Sequence, residues 1–261
     1  GAINLLLIGS LAGGKTGHDQ MRTLAIWSVG NLLASGVLGL IGGAIGRSGT
    51  NRPALTQPWF FRFTCVAAFT VFLLLITGGL VTGLEAGLAV TDWPNSFGHN
   101  MLLYPLSEMI GGIYYEHAHR LYGMLVGVTA ITLAVSAFIF DRRGWFRTLA
   151  VIYLLMVSVQ GYMGGKRVTE ISTTLAIIHG VFGQIVFSTI MLIAAVSSPT
   201  WKSDRAPAFK ASASTDRTWT VVLMIGLFIQ LILGAMYRHL GHVHVLYTHI
   251  LWAALVTGVL V

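Results

Sequence analysis

The sequence predicts an all-α protein that crosses a membrane several times, and three observations support this prediction. Hydrophobic residues make up 55% of the 261 residues, whereas charged residues make up only 10%. Mean hydropathy is +0.76, which is far above the value for a soluble domain of this length. The apolar residues also fall in continuous runs rather than in the alternating pattern of a membrane β-barrel. A bundle of membrane-spanning helices is therefore expected.

Seven apolar runs are long enough to cross a hydrocarbon core of about 30 Å as helices. They cover about 24–46, 63–84, 121–140, 147–165, 175–196, 218–237 and 245–261. Residues 1–12 are apolar but too short to span, and they lack the basic flank and cleavage site of a secretory signal. Because the chain begins at Gly1 and stops inside an apolar run at Val261, we expect it to be part of a longer protein.

The formal charge of +7 is concentrated in alternate loops, which indicates membrane topology rather than a nucleic-acid partner. By the positive-inside rule these loops face the cytoplasm or its equivalent. The single cysteine, Cys65, excludes a disulfide within the chain. The basic residues of these loops are Arg47, Arg52 and Arg62, then Arg142, Arg143 and Arg147, then Lys202, Arg205, Lys210 and Arg217.

The histidines are all predicted to lie on the opposite, outer side of the membrane. Ionisable groups within a membrane are costly and usually mark a functional site. His117 and His119 lie at the outer end of the third predicted span, His179 near that of the fifth and His249 near that of the seventh. The others are His18, His99, His239, His242 and His244.

The motif YEHAHR, residues 115–120, combines a carboxylate, two imidazoles and a guanidinium at the edge of an apolar run. At about 100° per residue, His117 and His119 point roughly 200° apart, whereas Glu116, His119 and Arg120 share one face of a helix. Gly123 continues the face of His119 one turn deeper, and Gly127 follows it. We therefore select His119 as the imidazole that faces the bundle.

The same pattern recurs at two other histidines, because Gly183 follows His179 and Ala253 follows His249 at the fourth position. A flat macrocycle ligated by the imidazole fits against such a smooth surface. Small residues at this spacing also serve ordinary packing between membrane helices, so the pattern has two interpretations.

Three kinds of metal site are compatible with histidines of this kind. Axial haem ligation requires only one or two imidazoles from facing helices and apolar surroundings, which these spans supply. A di-iron carboxylate site requires a second E-x-x-H motif and further inward glutamates, but Glu85, Glu108 and Glu170 fall in loops. Zinc remains an alternative at the cluster His239–His244, written HLGHVH.

A weak internal repeat predicts how the spans are grouped. The second, fourth and sixth spans close with Gly-Gly or Gly-Ala, and the span after each carries a histidine. The chain is thus interpreted as three helical hairpins, and a fourth would complete two four-helix bundles. Such repeats also occur in transporters. We predict an extra one-helix segment at 1–57, a haem-binding four-helix bundle at 58–200, and the first hairpin of an incomplete second bundle at 201–261.

Five stretches resemble the haem A synthase family, the membrane enzymes that convert haem O to haem A for cytochrome oxidase assembly. They are GGLVTGLEAGLAVTDWPNSFG (78–98), EHAHR (116–120), VQGYMGGKRV (159–168), AIIHGVFGQ (176–184) and IQLILGAMYRH (229–239). The resemblance implies eight helices in two four-helix bundles. It also implies that His119 and His179 hold the substrate haem, that Glu116 is needed for catalysis, and that His249 is one ligand of a haem b.

The implied reaction oxidises a ring methyl group of haem O to a formyl group through successive hydroxylations. It requires an electron donor, and haem O synthase or oxidase assembly factors are the implied partners. The implied location is the bacterial cell membrane or the mitochondrial inner membrane. Glu116 is the candidate for proton transfer, and an interfacial ion pair with Arg120 is the alternative interpretation of their spacing.

Two other functional classes use similar sequence features. A bis-histidine di-haem protein would transfer electrons without any chemistry on the ring. A transporter or haem-delivery protein would use the hairpin repeat and bind haem reversibly, without an obvious need for Glu116.

Overall fold

The computed structural model describes residues 58–202 and 213–260, and its helices confirm the all-α, multi-pass membrane prediction. Among these described residues, five helices are long and apolar enough to cross a membrane, namely α1, α2, α3, α4 and α6, while α7 is apolar but shorter. The predicted span at 24–46 lies outside the described residues. The helices are α1 (Pro58–Gly83), α2 (Gly112–Phe140), α3 (Gly144–Thr169), α4 (Thr173–Ser197), α5 (Pro199–Lys202), α6 (Ala213–Leu240) and α7 (Val243–Leu260).

Helix α2 begins at Gly112, nine residues before the predicted span at 121–140. The hydropathy pattern misses this start because Glu116, His117 and Arg120 interrupt the apolar run. In the structure Glu116 and His117 are only 4% and 1% exposed, since the preceding loop covers them. The EHAHR motif therefore lies within the helix, and Glu116, His117 and Arg120 form hydrogen bonds with the loop.

Residues 76–124 form one compact unit, made of the end of α1, the loop 84–111 and the first half of α2. The loop contains a small hairpin in which β1 (Asn95–Ser96) pairs antiparallel with β2 (His99–Asn100). Phe97 and Gly98 form its turn with φ of 52° and 75°, as two-residue hairpin turns of this hand require. Two short 3-10 helices, Met101–Leu103 and Leu106–Glu108, complete the loop.

The remaining described residues, 58–75, 125–202 and 213–260, form a second compact unit with its own core. Small side chains on α1 and α2 allow the large side chains of α3 and α4 to pack closely. Ser172 caps α4, because its hydroxyl accepts a hydrogen bond from the Leu175 backbone N–H at 3.2 Å. The fully buried residues of this core include Ala67, Ala130, Leu133, Phe146, Tyr153, Ile190 and Ile193.

Candidate functional site

His119 lies on the first half of α2, and its imidazole faces Gly78 near the end of α1. A Cβ atom built on Gly78 would lie 3.0 Å from Cε1 of His119 and 3.4 Å from its Nδ1. The hydroxyl of Thr77 lies 3.2 Å from the same Nδ1. When Nδ1 carries the proton and donates it to Thr77, Nε2 keeps its lone pair for a metal ion.

His179 on α4 faces Gly164 of α3 in the same way. A Cβ atom on Gly164 would lie 3.0 Å from Cε1 of His179 and 3.5 Å from its Nδ1. One turn earlier on α3, the amide nitrogen of Gln160 donates a hydrogen bond of 2.8 Å to the backbone carbonyl of His179. This bond fixes the α3–α4 pair at the level of the imidazole.

His249 on α7 faces Gly234 of α6 with nearly identical distances. A Cβ atom on Gly234 would lie 3.0 Å from Cε1 of His249 and 3.6 Å from its Nδ1. The side-chain amide nitrogen of Gln230 lies 3.2 Å from Nε2 of His249. The Nδ1 atom of this half-buried imidazole is itself buried and has no hydrogen-bond partner within the described residues.

Each selected histidine therefore contacts a glycine on the preceding helix, which the sequence reasoning did not identify. That reasoning placed the important small residue one turn deeper on the histidine's own helix. A Cβ atom on Gly123 or Gly127 would meet no described atom within 4 Å, whereas one on Gly183 would lie 3.1 Å from the side-chain nitrogen of Gln160. The sequence does contain a repeated spacing that could have indicated which helices pair, because Gln160 precedes His179 by nineteen residues and Gln230 precedes His249 by the same number.

Glu116 and Arg120 connect the first turns of α2 to the loop before it. One oxygen of Glu116 accepts a hydrogen bond of 2.9 Å from the Val90 backbone N–H, and the other accepts one of 2.8 Å from Arg120. Arg120 also donates to the backbone carbonyls of Val90, Asp92 and Asn95, at 2.5, 2.6 and 3.0 Å. Glu116 thus binds the backbone N–H of Val90, and Arg120 binds its carbonyl. We call this pair the Glu116–Arg120 clamp.

Asp92 supports the hairpin within the same loop. Its two carboxylate oxygens accept 2.8 Å hydrogen bonds from the backbone N–H groups of Phe97 and Gly98, the two turn residues of the hairpin. Burial alone would raise the pKa of Asp92, but the N–H donors of Gly98 and Phe97 and the charge of Arg120 outweigh it. The net effect holds the pKa of Asp92 below its usual value of 3.8.

His117 lies on the other side of α2 from His119, as the 200° separation predicts. Its Nδ1 lies 3.1 Å from the hydroxyl of Ser96, and its ring centroid lies 5.0 Å from that of Tyr104. His117 is 1% exposed, so it lies in the interior of the compact unit formed by residues 76–124. The two imidazoles of EHAHR therefore have different surroundings, one under the loop and one against a neighbouring helix.

The donor set favours axial haem ligation over a multidentate metal site. Within the part of the chain that the structure describes, no group of three or more His, Cys, Asp and Glu side chains is placed to hold a metal ion. His242 and His244 are exposed and stack on each other at 5.3 Å, without converging on a third ligand. His119, His179 and His249 instead each present one half-buried imidazole, and axial haem ligation requires only one or two imidazoles.

Three known proteins are similar to this chain in sequence. The chain is 27% identical over 187 residues to a "Heme A synthase" of Exiguobacterium sibiricum, which covers 69% of this chain and 59% of that protein. It is 27% identical over 173 residues to a "Heme A synthase" of Chelativorans sp., covering 63% of this chain and 46% of that protein. A "Protoheme IX farnesyltransferase" of Haloarcula marismortui is 25% identical over 150 residues, covering 57% of this chain and 31% of that protein.

The chain therefore spans between about a third and three fifths of the length of these relatives. No solved structure matches it. The model of the COX15-CtaA family, described as "Cytochrome oxidase assembly protein", matches residues 99–256, a region that contains Glu116, His119, His179 and His249. Because this match covers more than half of the chain, the protein belongs to the COX15-CtaA family of cytochrome oxidase assembly proteins.

Proposed function

We propose that this chain is the haem-binding, catalytic part of a haem A synthase, which oxidises a ring methyl group of haem O to a formyl group. The observation that carries the proposal is the repeated placement of an imidazole against a helix glycine, at His119, His179 and His249. Three similarly placed imidazoles on three helices suit axial ligation of iron. The reaction is proposed from the family and from the two relatives called "Heme A synthase".

His119 and His179 are the proposed ligands of the substrate haem, and His249 is a proposed ligand of haem b. The imidazole of His119 has the feature expected of an oriented ligand, because Thr77 lies within hydrogen-bond distance of its Nδ1. His249 has a different neighbour, the side-chain amide nitrogen of Gln230, which lies 3.2 Å from its Nε2, so this amide must turn away before Nε2 can bind iron. The chain thus offers chemically distinct surroundings for the proposed substrate ligand and the proposed haem b ligand.

When bound, the iron porphyrin supplies the redox chemistry, and electrons come from an external donor. The chain's own part is to orient the macrocycle, exclude water and move protons. Glu116 is the proposed proton-carrying group, because its carboxylate lies one turn before His119. Each of its oxygens accepts one hydrogen bond, so a proton placed on Glu116 removes its negative charge and weakens the bonds from Val90 and Arg120. Proton transfer is therefore coupled to the bonds that hold the loop.

The same proposal implies the partners and the membrane. Haem O reaches the protein from the enzyme class that attaches the farnesyl group to protohaem, and the name of the Haloarcula relative belongs to that class. An electron donor and oxidase assembly factors complete the proposed set of partners. The proposed location is the cell membrane of a bacterium or the inner mitochondrial membrane.

The test is extraction of the pigments from the detergent-purified, full-length protein, made in cells that supply haem O, followed by mass analysis. We expect haem A or its hydroxylated intermediate in the wild type and in His242→Ala, whose imidazole is exposed. We expect neither product in His119→Ala. Haem b as the only pigment in all three proteins would contradict the synthase proposal and favour a di-haem electron-transfer protein.

A variant of Glu116 separates its two proposed roles. Glu116→Gln keeps the size of the side chain, but its amide group can accept only one of the two hydrogen bonds that the carboxylate accepts. We expect this variant to retain haem O and to form little or no haem A. Full conversion to haem A by Glu116→Gln would remove Glu116 from the catalytic residues.

A further inference from the structure

The imidazoles of His119, His179 and His249 approach their glycines in the same orientation. In each case the nearest ring atom is Cε1, 3.0 Å from the position that a Cβ atom would occupy. Nδ1 follows at 3.4–3.6 Å and Nε2 at 3.7 Å. The edge of the ring that carries both nitrogens therefore rests against the preceding helix, three times in one chain.

This contact is specific to three glycines and does not extend along the helices. A Cβ atom on Gly79 or Gly83 of α1, or on Gly161 of α3, would meet no described atom within 4 Å. Gly79 is the immediate neighbour of Gly78, and Gly161 lies three residues before Gly164. Close approach alone does not single out these positions, because a Cβ atom on Gly226 would lie 3.0 Å from Val256 and one on Gly183 would lie 3.1 Å from Gln160. What distinguishes Gly78, Gly164 and Gly234 among the described glycines is that the group opposite each of them is an imidazole, in the same orientation every time.

A side chain at these positions would turn the ring rather than compress it. Carbon atoms prefer a separation of about 3.5–4.0 Å, so a methyl group at 3.0 Å displaces the imidazole by several tenths of an ångström. The imidazole is rigid and planar and moves by rotation about its two side-chain torsions. Rotation changes the direction of the Nε2 lone pair, which is the property that an axial ligand must control.

We propose that Gly78, Gly164 and Gly234 are positioning residues, which set the ring orientation of His119, His179 and His249 by leaving the space of a Cβ atom to the imidazole. The inference rests on the proposed haem ligation but makes no use of the reaction on the ring. It predicts that the glycines act on the iron through the histidines, without touching the haem chemistry directly.

The experiment compares the variants Gly78→Ala, Gly164→Ala and Gly234→Ala with the control variants Gly79→Ala, Gly161→Ala and Gly258→Ala, whose positions face open space among the described residues. Each full-length protein is purified with its haem. Haem content, the ferric low-spin electron paramagnetic resonance spectrum and the unfolding temperature in detergent are then measured. The resonance spectrum reports the axial ligands, so a purely structural loss of stability does not shift it.

We expect the three contact variants to bind haem about 10–100-fold more weakly, or to show shifted low-spin signals, because changes behind a metal ligand typically have this size. The controls should match the wild type in both respects. Contact variants whose affinity and spectrum equal those of the controls would overturn the positioning role alone. A wild type that binds no haem would overturn both this inference and the proposed function. If one variant fails to fold, the other two test the same contact in different hairpins.

Discussion

Replacement of Arg120 by alanine is the most demanding test of how the loop 84–111 is held beside His119. The side chains of Arg120 and Glu116 are only 9% and 5% exposed. Arg120→Ala leaves the carboxylate of Glu116 buried without its ion-pair partner, and it removes the donor to the Val90 carbonyl. Removing one partner of a buried ion pair costs about 3–5 kcal/mol, because the remaining charge is neither paired nor hydrated.

The loss should appear first as local opening of the loop. Each 1.4 kcal/mol changes an equilibrium by about tenfold, so the backbone amide of Val90 should exchange its hydrogen roughly 100-fold to several thousand-fold faster. Amide hydrogen exchange followed by mass spectrometry on the detergent-purified protein measures this rate. Arg142→Ala is the matched control, because Arg142 is exposed in the turn between α2 and α3, and its effect should stay within about 0.5 kcal/mol.

The double variant Glu116→Gln/Arg120→Ala distinguishes the ion pair from a simple loss of contacts. Removing the charge of Glu116 relieves the unpaired carboxylate, so the double variant should be less destabilised than the sum of the two single variants. Unchanged exchange at Val90 in Arg120→Ala would refute the clamp. Strict additivity in the double variant would refute the buried ion pair as its cause.

Three further changes test separate parts of the structure. The ionised carboxylate of Asp92 stabilises the loop above pH 3.8, and this stabilisation is lost as the pH falls through the lowered pKa of Asp92. Asp92→Asn should remove it at every pH. Amide hydrogen exchange of the hairpin turn at several pH values measures the difference. Thr77→Val removes the hydrogen bond to Nδ1 of His119. The imidazole then becomes a weaker electron donor to iron, so the midpoint potential of its haem should rise. An unchanged midpoint potential would contradict the hydrogen bond. Tyr153→Phe removes a buried hydroxyl that has no hydrogen-bond partner among the described residues, so the unfolding free energy should stay equal or rise by about 1 kcal/mol, and a loss above that size would reveal a missed partner.

The helical spans could be predicted from the sequence because length and continuous hydropathy are dictated by the membrane thickness. The start of α2 could not, since its polar first turns are stabilised by a loop that comes earlier in the chain. Hydropathy records only the cost of Glu116 and His117 in an apolar environment. It does not record the hydrogen bonds from Val90 and Ser96 that offset that cost.

The candidate histidine of the EHAHR motif could also be predicted from the sequence, because helix periodicity separates His119 from His117 and places Glu116 and Arg120 side by side. What periodicity could not supply is the partner on another helix. Gly78 and Gly164 are typical of any closely packed membrane helix, and only the register between helices shows that an imidazole lies opposite each of them. Register depends on packing across the hairpin, which a single sequence does not encode as a simple period.

The central claim is that His119, His179 and His249 ligate haem iron, and near-infrared magnetic circular dichroism of the ferric, full-length protein tests it most directly. This spectrum distinguishes haem with two nitrogen ligands from haem with one nitrogen and one sulfur ligand. We expect a signal for two nitrogen ligands in the wild type and a nitrogen–sulfur signal for one haem in His179→Met. An identical spectrum in the wild type and in His179→Met would contradict the assignment of His179 as a ligand.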